Sequence, residues 1–317
     1  MNAQAPAVSP SLNLASDLLT GAEWSAAHVQ ELFRLAGDVK AHPDRYKSAL
    51  AGRFLAMIFE KPSLRTRVTF EVGIAGLGGT AIFLDHAEAH LGERESIPDV
   101  GRSLSRWVHG IVARVFSQEA LEILAAHASV PVINALSDVY HPCQTLCDFF
   151  TIEEKFGSTR GLKLAYVGDG NNVCHSLMIA GARVGAHVRI ATPAGYEPDA
   201  SIVAAARRDA AAAQGTIELF RAPEEAVSGA QAVYTDVWAS MGQESETDAR
   251  AAIFAPYRVN AKLMSRAAAD AVFLHCLPAH RGSEVTDEVM ESPRSIVFDQ
   301  AENRLHVQKA ILLMLLS

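Results

Sequence analysis

Short runs of apolar and β-branched residues alternate with stretches of helical periodicity along most of this chain. That alternation constrains the fold more than any other feature, because a helix that carries the chain back across a sheet lets the next strand run parallel to the last. A first series places strands at 54–59, 80–84, 111–115 and 131–134, with helices over 64–77, 97–108, 118–127 and 142–156. One further helix, over 24–39, precedes them. The segment Gly157-Ser158-Thr159-Arg160-Gly161 then breaks the pattern, and a second series follows with strands at 164–167, 187–191, 217–219, 232–235 and 272–274. The expected fold class is therefore α/β, with two doubly wound parallel-sheet domains, 1–156 and 157–317. The last helical stretch, 300–316, is apolar on several faces and is expected to be buried by packing back on the first domain.

A chain of 317 residues, 49% of them hydrophobic, has enough apolar side chains for two such cores. Its 28 Lys and Arg against 36 Asp and Glu leave a net charge of −8, which argues against nucleic-acid binding but leaves room for a local anion pocket. The longest purely apolar run, 310–316, falls well short of the roughly 20 residues a membrane span needs. The first basic residue is Arg34, unlike a secretory or transit leader, and the four cysteines form no Cys-x-x-Cys pair. A cytoplasmic protein is expected from these features.

Ligands of open parallel sheets bind beyond the carboxyl ends of the strands, so the polar residues just after each strand matter most. Six places stand out. They are Ser63-Leu64-Arg65-Thr66-Arg67, Arg114, His141-Pro142-Cys143-Gln144, Gly168-Asp169-Gly170-Asn171-Asn172, the stretch from Asp236 through Trp238, Ser240 and Met241 to Gly242, and His275-Cys276-Leu277-Pro278. Lys61, Arg65 and Arg67 crowd a helix start, where the macrodipole disfavours each cation by roughly 0.3–1 kcal/mol. A bound phosphate would offset this, with helix N–H groups, the Ser63 and Thr66 hydroxyls and a guanidinium fork around it. Equally, Ser63 is an ordinary N-cap of a solvated basic turn. Pro142 and Gln144 have a plain helix-start reading too, beside one in which His141 and Gln144 meet a small carbonyl or amide group.

Some chemistries are disfavoured. Gly168-Asp169-Gly170 lacks the third glycine of a dinucleotide fingerprint, since Val173 takes its place, and the next strand ends without an acidic residue for the ribose. No phosphate-binding loop of the G-x-x-x-x-G-K-[ST] form is present. His86 with His90, and Cys276 with His280, have the i,i+4 spacing of metal ligands, yet neither has an evident third ligand.

The motifs Phe59-Glu60-Lys61-Pro62-Ser63-Leu64-Arg65-Thr66-Arg67, His141-Pro142-Cys143-Gln144, Gly168 to Asn172, Asp236 to Gly242 and His275-Cys276-Leu277-Pro278, in this order, resemble the ornithine carbamoyltransferases of the aspartate/ornithine carbamoyltransferase family. The first two belong to carbamoyltransferases in general, and the Ser-Met-Gly and His-Cys-Leu-Pro motifs point to ornithine. The resemblance implies transfer of a carbamoyl group from carbamoyl phosphate to L-ornithine, giving L-citrulline and phosphate, without metal or cofactor. It implies a homotrimer, with the first domain for carbamoyl phosphate and the second for ornithine.

Residue by residue, it assigns carbamoyl phosphate to Ser63, Leu64, Arg65, Thr66, His90, Arg114, His141, Pro142, Cys143 and Gln144. Ornithine falls to Asn172, Asp236, Ser240, Met241, Cys276, Leu277 and Arg304. Arg65, Arg114, His141, Gln144, Asp236 and Cys276 take the catalytic roles. Two positions depart from the usual pattern: Leu64 stands where a hydroxyl residue is common, and His90 stands where the family carries a Gln contributed to a neighbouring subunit. Carbamoyl transfer to another amine, such as N-acylated ornithine or putrescine, is the nearest alternative. A non-catalytic assembly subunit is the alternative from another class.

Overall fold

The computed structural model describes residues 17–84, 91–238 and 247–317. After α1 (Ala26–Ala41), the chain runs β1 (Phe54–Phe59), α2 (Leu64–Ala75), β2 (Thr80–Leu84), α3 (Ile97–Leu104), β3 (Gly110–Arg114), α4 (Gln118–His127), β4 (Val132–Leu136) and α5 (Pro142–Phe156). The second series is β5 (Lys163–Val167), α6 (Asn172–Val184), β6 (His187–Ala191), α7 (Ala200–Ala212), β7 (Thr216–Phe220), α8 (Pro223–Val227) and β8 (Ala232–Thr235). It closes with α9 (Thr247–Phe254), α10 (Ala261–Met264), β9 (Val272–His275), α11 (Asp287–Met290) and α12 (Val297–Leu316). Every expected strand forms, within one or two residues at each end. The helix expected over 97–108 is shorter, because the chain must turn at Arg106 and Trp107 before His109 N–H joins β1 at Phe54 O.

Both sheets are parallel throughout. The first has the order β2-β1-β3-β4 and the second β7-β6-β5-β8-β9. β3 is buried at every residue and β1 at all but Phe54, as expected of strands covered on both faces. β2 lies at an edge and is only partly covered. At the other edge, Leu18 pairs with β4 through Leu18 N–H to Val132 O (2.9 Å) and Asn134 N–H to Leu18 O (2.8 Å).

The strand orders fix where ligands can be taken up. In the first sheet the winding reverses between β1 and β3, whose carboxyl ends lead into Glu60–Arg67 and carry Arg114. In the second it reverses between β5 and β8, whose ends lead into Gly168–Asn172 and Asp236. Motifs picked from sequence thus stand at both switch points.

The chain forms two compact units. One runs to Leu146 and takes in Glu302–Ser317; the other is Cys147–Ala301. This division falls inside α5, earlier than the Gly157 break. The helix continues unbroken for 15 residues, but from Cys147 onward its side chains pack within the second unit. Phe149 lies against Gly181, and Asp148 accepts a hydrogen bond from Gln300 at 2.6 Å. The glycine-rich break marks the end of a rigid helix, whereas packing decides which unit each turn joins. From Glu302 onward α12 belongs to the first unit. Leu305, Lys309 and Leu312 lie against Gly73 of α2, and Leu316 leaves no room for a side chain at Gly110, where a Cβ would sit 2.7 Å from its Cδ2. Among the described residues no helix is long and apolar enough to cross a membrane.

Candidate active site

In the first unit, Ser63 caps α2 by accepting the Thr66 N–H at 3.3 Å, so the capping expectation is met. A hydroxyl that caps still offers its proton and a second lone pair to an anion. Thr66 is buried, and its hydroxyl accepts from Nη2 of Arg304 at 2.7 Å. Arg304, expected with the ornithine residues, therefore lies in the first unit beside Thr66. Arg114 is buried where the β3–β4 ladder slips register after Ala113. His141 and Gln144 are buried at the start of α5, with Pro142 its first residue. Burial holds the His141 imidazole well below the usual histidine range, and the positive charges of Arg304 and Arg114 add to the effect. At neutral pH it is an uncharged ring that can offer one N–H.

The surroundings of the other expected residues of this unit differ. Leu64 is 75% exposed and carries no polar side-chain atom. The Cys143 thiol donates to Asn134 O at 3.3 Å and is pushed up to about 12 by burial, so it stays a protonated thiol within the core. Arg67 pairs with Glu71 at 2.9 Å and lies over the Phe83 ring. Arg65 is half-buried near the helix start. His90 lies outside the described residues.

The His141 shift has a consequence for stability. Below pH about 6.5 the unfolded chain binds a proton at His141 that the folded chain refuses, so stability falls with falling pH, by up to about 1.4 kcal/mol per pH unit for this group. His141→Gln should lack that component. In urea titrations from pH 7 to pH 5, the stability gap between wild type and variant is expected to shift steadily against the wild type; a constant gap would show that His141 titrates normally.

In the second unit, Gly170 lets the loop after β5 touch the 196–198 turn: a Cβ there would lie 2.2 Å from Pro198 N. Asn171 then caps α6, its Oδ1 accepting from Val173 N–H (3.0 Å) and Cys174 N–H (3.1 Å). Its Nδ2 donates to Asp236 Oδ2 at 2.8 Å. The other oxygen of Asp236 accepts from Val237 N–H at 2.8 Å and from the Cys276 thiol at 2.9 Å. One buried carboxylate thus gathers three donors from three segments, with Asn172 partly exposed beside them. Trp238 stacks on Phe254 and belongs to the core. Ser240 and Met241 lie outside the described residues.

The turn after β9 is held in an unfavourable conformation. Leu277 has φ +58°, a left-handed value that costs a non-glycine residue about 1–3 kcal/mol. Its N–H donates to His275 Nδ1 at 2.8 Å, which leaves the imidazole proton on Nε2, 3.2 Å from Glu284 Oε1. Glu284 also accepts the His280 N–H, and Gln300 Oε1 accepts the His275 N–H at 3.0 Å. His275 therefore props up the turn that presents Cys276 to Asp236.

Asp236, His275 and Cys276 bring three ligand-type atoms within 4.8 Å of one another. Both imidazole nitrogens are already used, however, and both Asp236 oxygens accept hydrogen bonds, which suits a polar substrate site better than a metal centre. His280, paired with Cys276 on spacing alone, is exposed.

Three contributors escaped the sequence reading. Asn171 holds Asp236, whereas the resemblance had singled out its neighbour Asn172. Arg250 donates to Asp169 Oδ2 and to Trp238 O, both at 2.8 Å, anchoring the loop after β5 to the exit of β8. Glu284 orients His275. A strand-end Asn followed by a helical run is a recognisable N-cap signal for Asn171; Arg250 and Glu284 carry no local signal.

Residues 16–154 match the carbamoyl-P binding domain of aspartate/ornithine carbamoyltransferases, and residues 160–315 match the Asp/Orn binding domain. The chain is 53% identical over 293 residues to an ornithine carbamoyltransferase of Pyrococcus horikoshii, covering 92% of this chain and 91% of that protein. It is 57% identical over 263 residues to one of Thermococcus kodakarensis, covering 83% and 84%. The structure of the ornithine carbamoyltransferase from Pyrococcus furiosus superposes with a TM-score of 0.93 at 51% identity, covering 96% of this chain and 98% of that one.

Proposed function

The chain belongs to the aspartate/ornithine carbamoyltransferase family, and from that footing we propose that it transfers the carbamoyl group of carbamoyl phosphate to the side-chain amine of L-ornithine, giving L-citrulline and phosphate. What carries the reading is the contrast between the two switch points. The first gathers cationic and donor groups (Arg114, Arg304 and a neutral His141, with Thr66 on Arg304), and the second gathers hydrogen bonds on the buried carboxylate of Asp236. The first suits a phosphate dianion with a carbonyl, and the second an ammonium-bearing amino acid.

In the transfer, the neutral side-chain amine attacks the carbamoyl carbon, the carbon–oxygen bond to phosphate breaks, and the amine proton is released to the departing phosphate. An alkyl amine has a reference pKa of about 10.4 and reacts only when deprotonated, so positioning supplies much of the rate. Ser63, Arg65, Thr66 and Arg114 take the phosphate oxygens. The His141 N–H and the Arg304 guanidinium polarise the carbonyl, and Gln144 accepts from the carbamoyl NH2. Asp236 faces the α-ammonium of ornithine with Asn172, Ser240 and Met241 on the same substrate, while Cys276 and Leu277 line the reacting amine. Citrulline formation places the enzyme in arginine biosynthesis.

We take the working form to be a homotrimer. Helix α2 is apolar on two sides: Phe70 and Ile74 are buried, yet Leu64, Val68 and Val72 remain 75%, 45% and 48% exposed in a row. A second copy would cover such a face, and sedimentation at three times the chain mass is expected. Scattered cysteines without disulfides fit a cytoplasmic setting. The decisive assay offers ornithine, N-acetylornithine and putrescine side by side with carbamoyl phosphate. Ureido product from ornithine is expected; faster product from either other amine would overturn the acceptor assignment, because neither presents Asp236 with the same α-ammonium.

A further inference from the structure

Glu60 stands at the first switch point, 6% exposed, and has no role in the transfer described above. Its main chain and its side chain both grip the exit of β3. Glu60 N–H donates to Arg114 O at 2.9 Å, and Glu60 Oε2 accepts from Phe116 N–H at 2.9 Å. One residue therefore clamps the chain at Arg114 and again two residues later. The other carboxylate oxygen, Oε1, accepts from Leu91 N–H at 3.0 Å, so a third segment is tied to the same group. The adjacent Lys61 ammonium sits 4.4 Å from the centre of the Phe116 ring and holds that segment from its side-chain face.

Towards the ligand, the charge of this carboxylate works in the wrong direction. A buried negative charge is tolerated only where donors meet its lone pairs, and near a site for a phosphate dianion it repels the ligand. What it supplies is geometry: two backbone N–H groups held at fixed points, one on each side of the phosphate-binding turn that follows β1. We propose that Glu60 is a positioning residue of the carbamoyl phosphate site, setting the main chain around Arg114 so that its guanidinium meets the phosphate. This rests on the carbamoyltransferase reading given above.

Charge and positioning have opposite signs, which makes the proposal testable. Glu60→Gln removes the repulsion, and in either orientation its carboxamide turns an NH2 towards one of the two backbone donors. If charge alone mattered, the KM for carbamoyl phosphate would fall. Positioning requires it to rise, by tenfold or more, with the KM for ornithine within twofold of wild type. Glu60→Asp keeps the charge and shortens the reach, and is expected to raise the carbamoyl phosphate KM as well, by at least threefold. Should Glu60→Gln not fold, Glu60→Asp decides alone. An unchanged or lowered carbamoyl phosphate KM, or equal rises for both substrates, overturns the proposal. A wild-type protein that forms no citrulline fails at the earlier step and removes the premise of this one, so the two failures are told apart by the control.

Discussion

Replacing Arg114 with alanine is expected to lower kcat/KM for carbamoyl phosphate by about 10³-fold, roughly 4 kcal/mol in the barrier. The guanidinium is buried at the carboxyl end of β3, where low polarity makes a charge-assisted contact to a departing dianion stronger than it is in water. Arg65 has the same sign but is only half-buried, so Arg65→Ala is expected to cost less. Arg114→Lys restores charge without the planar fork and should recover a minor part. Steady-state kinetics with each substrate varied in turn would check this. Near wild-type turnover in Arg114→Ala would remove the residue from the phosphate site.

Asp236→Asn is expected to lower kcat/KM for ornithine by about 10²-fold or more, near 3 kcal/mol, and to leave the KM for carbamoyl phosphate within a few fold. The two side chains have the same shape, so the fold should survive. The carboxylate accepts from Asn171 on one oxygen and from Val237 N–H and Cys276 on the other. Whichever way a carboxamide is turned, its NH2 meets a donor, and the charge that answers the α-ammonium is gone. Equal losses for the two substrates would contradict the division of labour between the two units.

Much of this architecture is legible along the chain. The limits of β1, β2, β6 and β8 agree with the sequence pattern to the residue, and α4 and α5 likewise. Buried parallel strands read as unbroken apolar runs and their helices as periodic ones, and both patterns are local. The functional motifs are legible for the same reason, since ligands gather at strand ends. The division at Leu146 and Cys147 was not legible, because a continuous helix gives no sign of which turn packs on which core.

The sequence by itself determined the alternation of strands and helices, the cationic turn at Lys61–Arg67 and the family the chain belongs to. Tertiary structure alone decided the partners. Arg304 reaches Thr66 across 238 residues, Asn171 reaches Asp236 across 65, and Glu60 reaches Phe116 across 56. It also turned the Cys143 thiol into the core and brought the Asn171 carboxamide to Asp236. Backbone periodicity is set by residues three or four apart, whereas these contacts depend on which strands lie side by side. The orders β2-β1-β3-β4 and β7-β6-β5-β8-β9 brought those distant strand ends together, and no local stretch of sequence encodes that order.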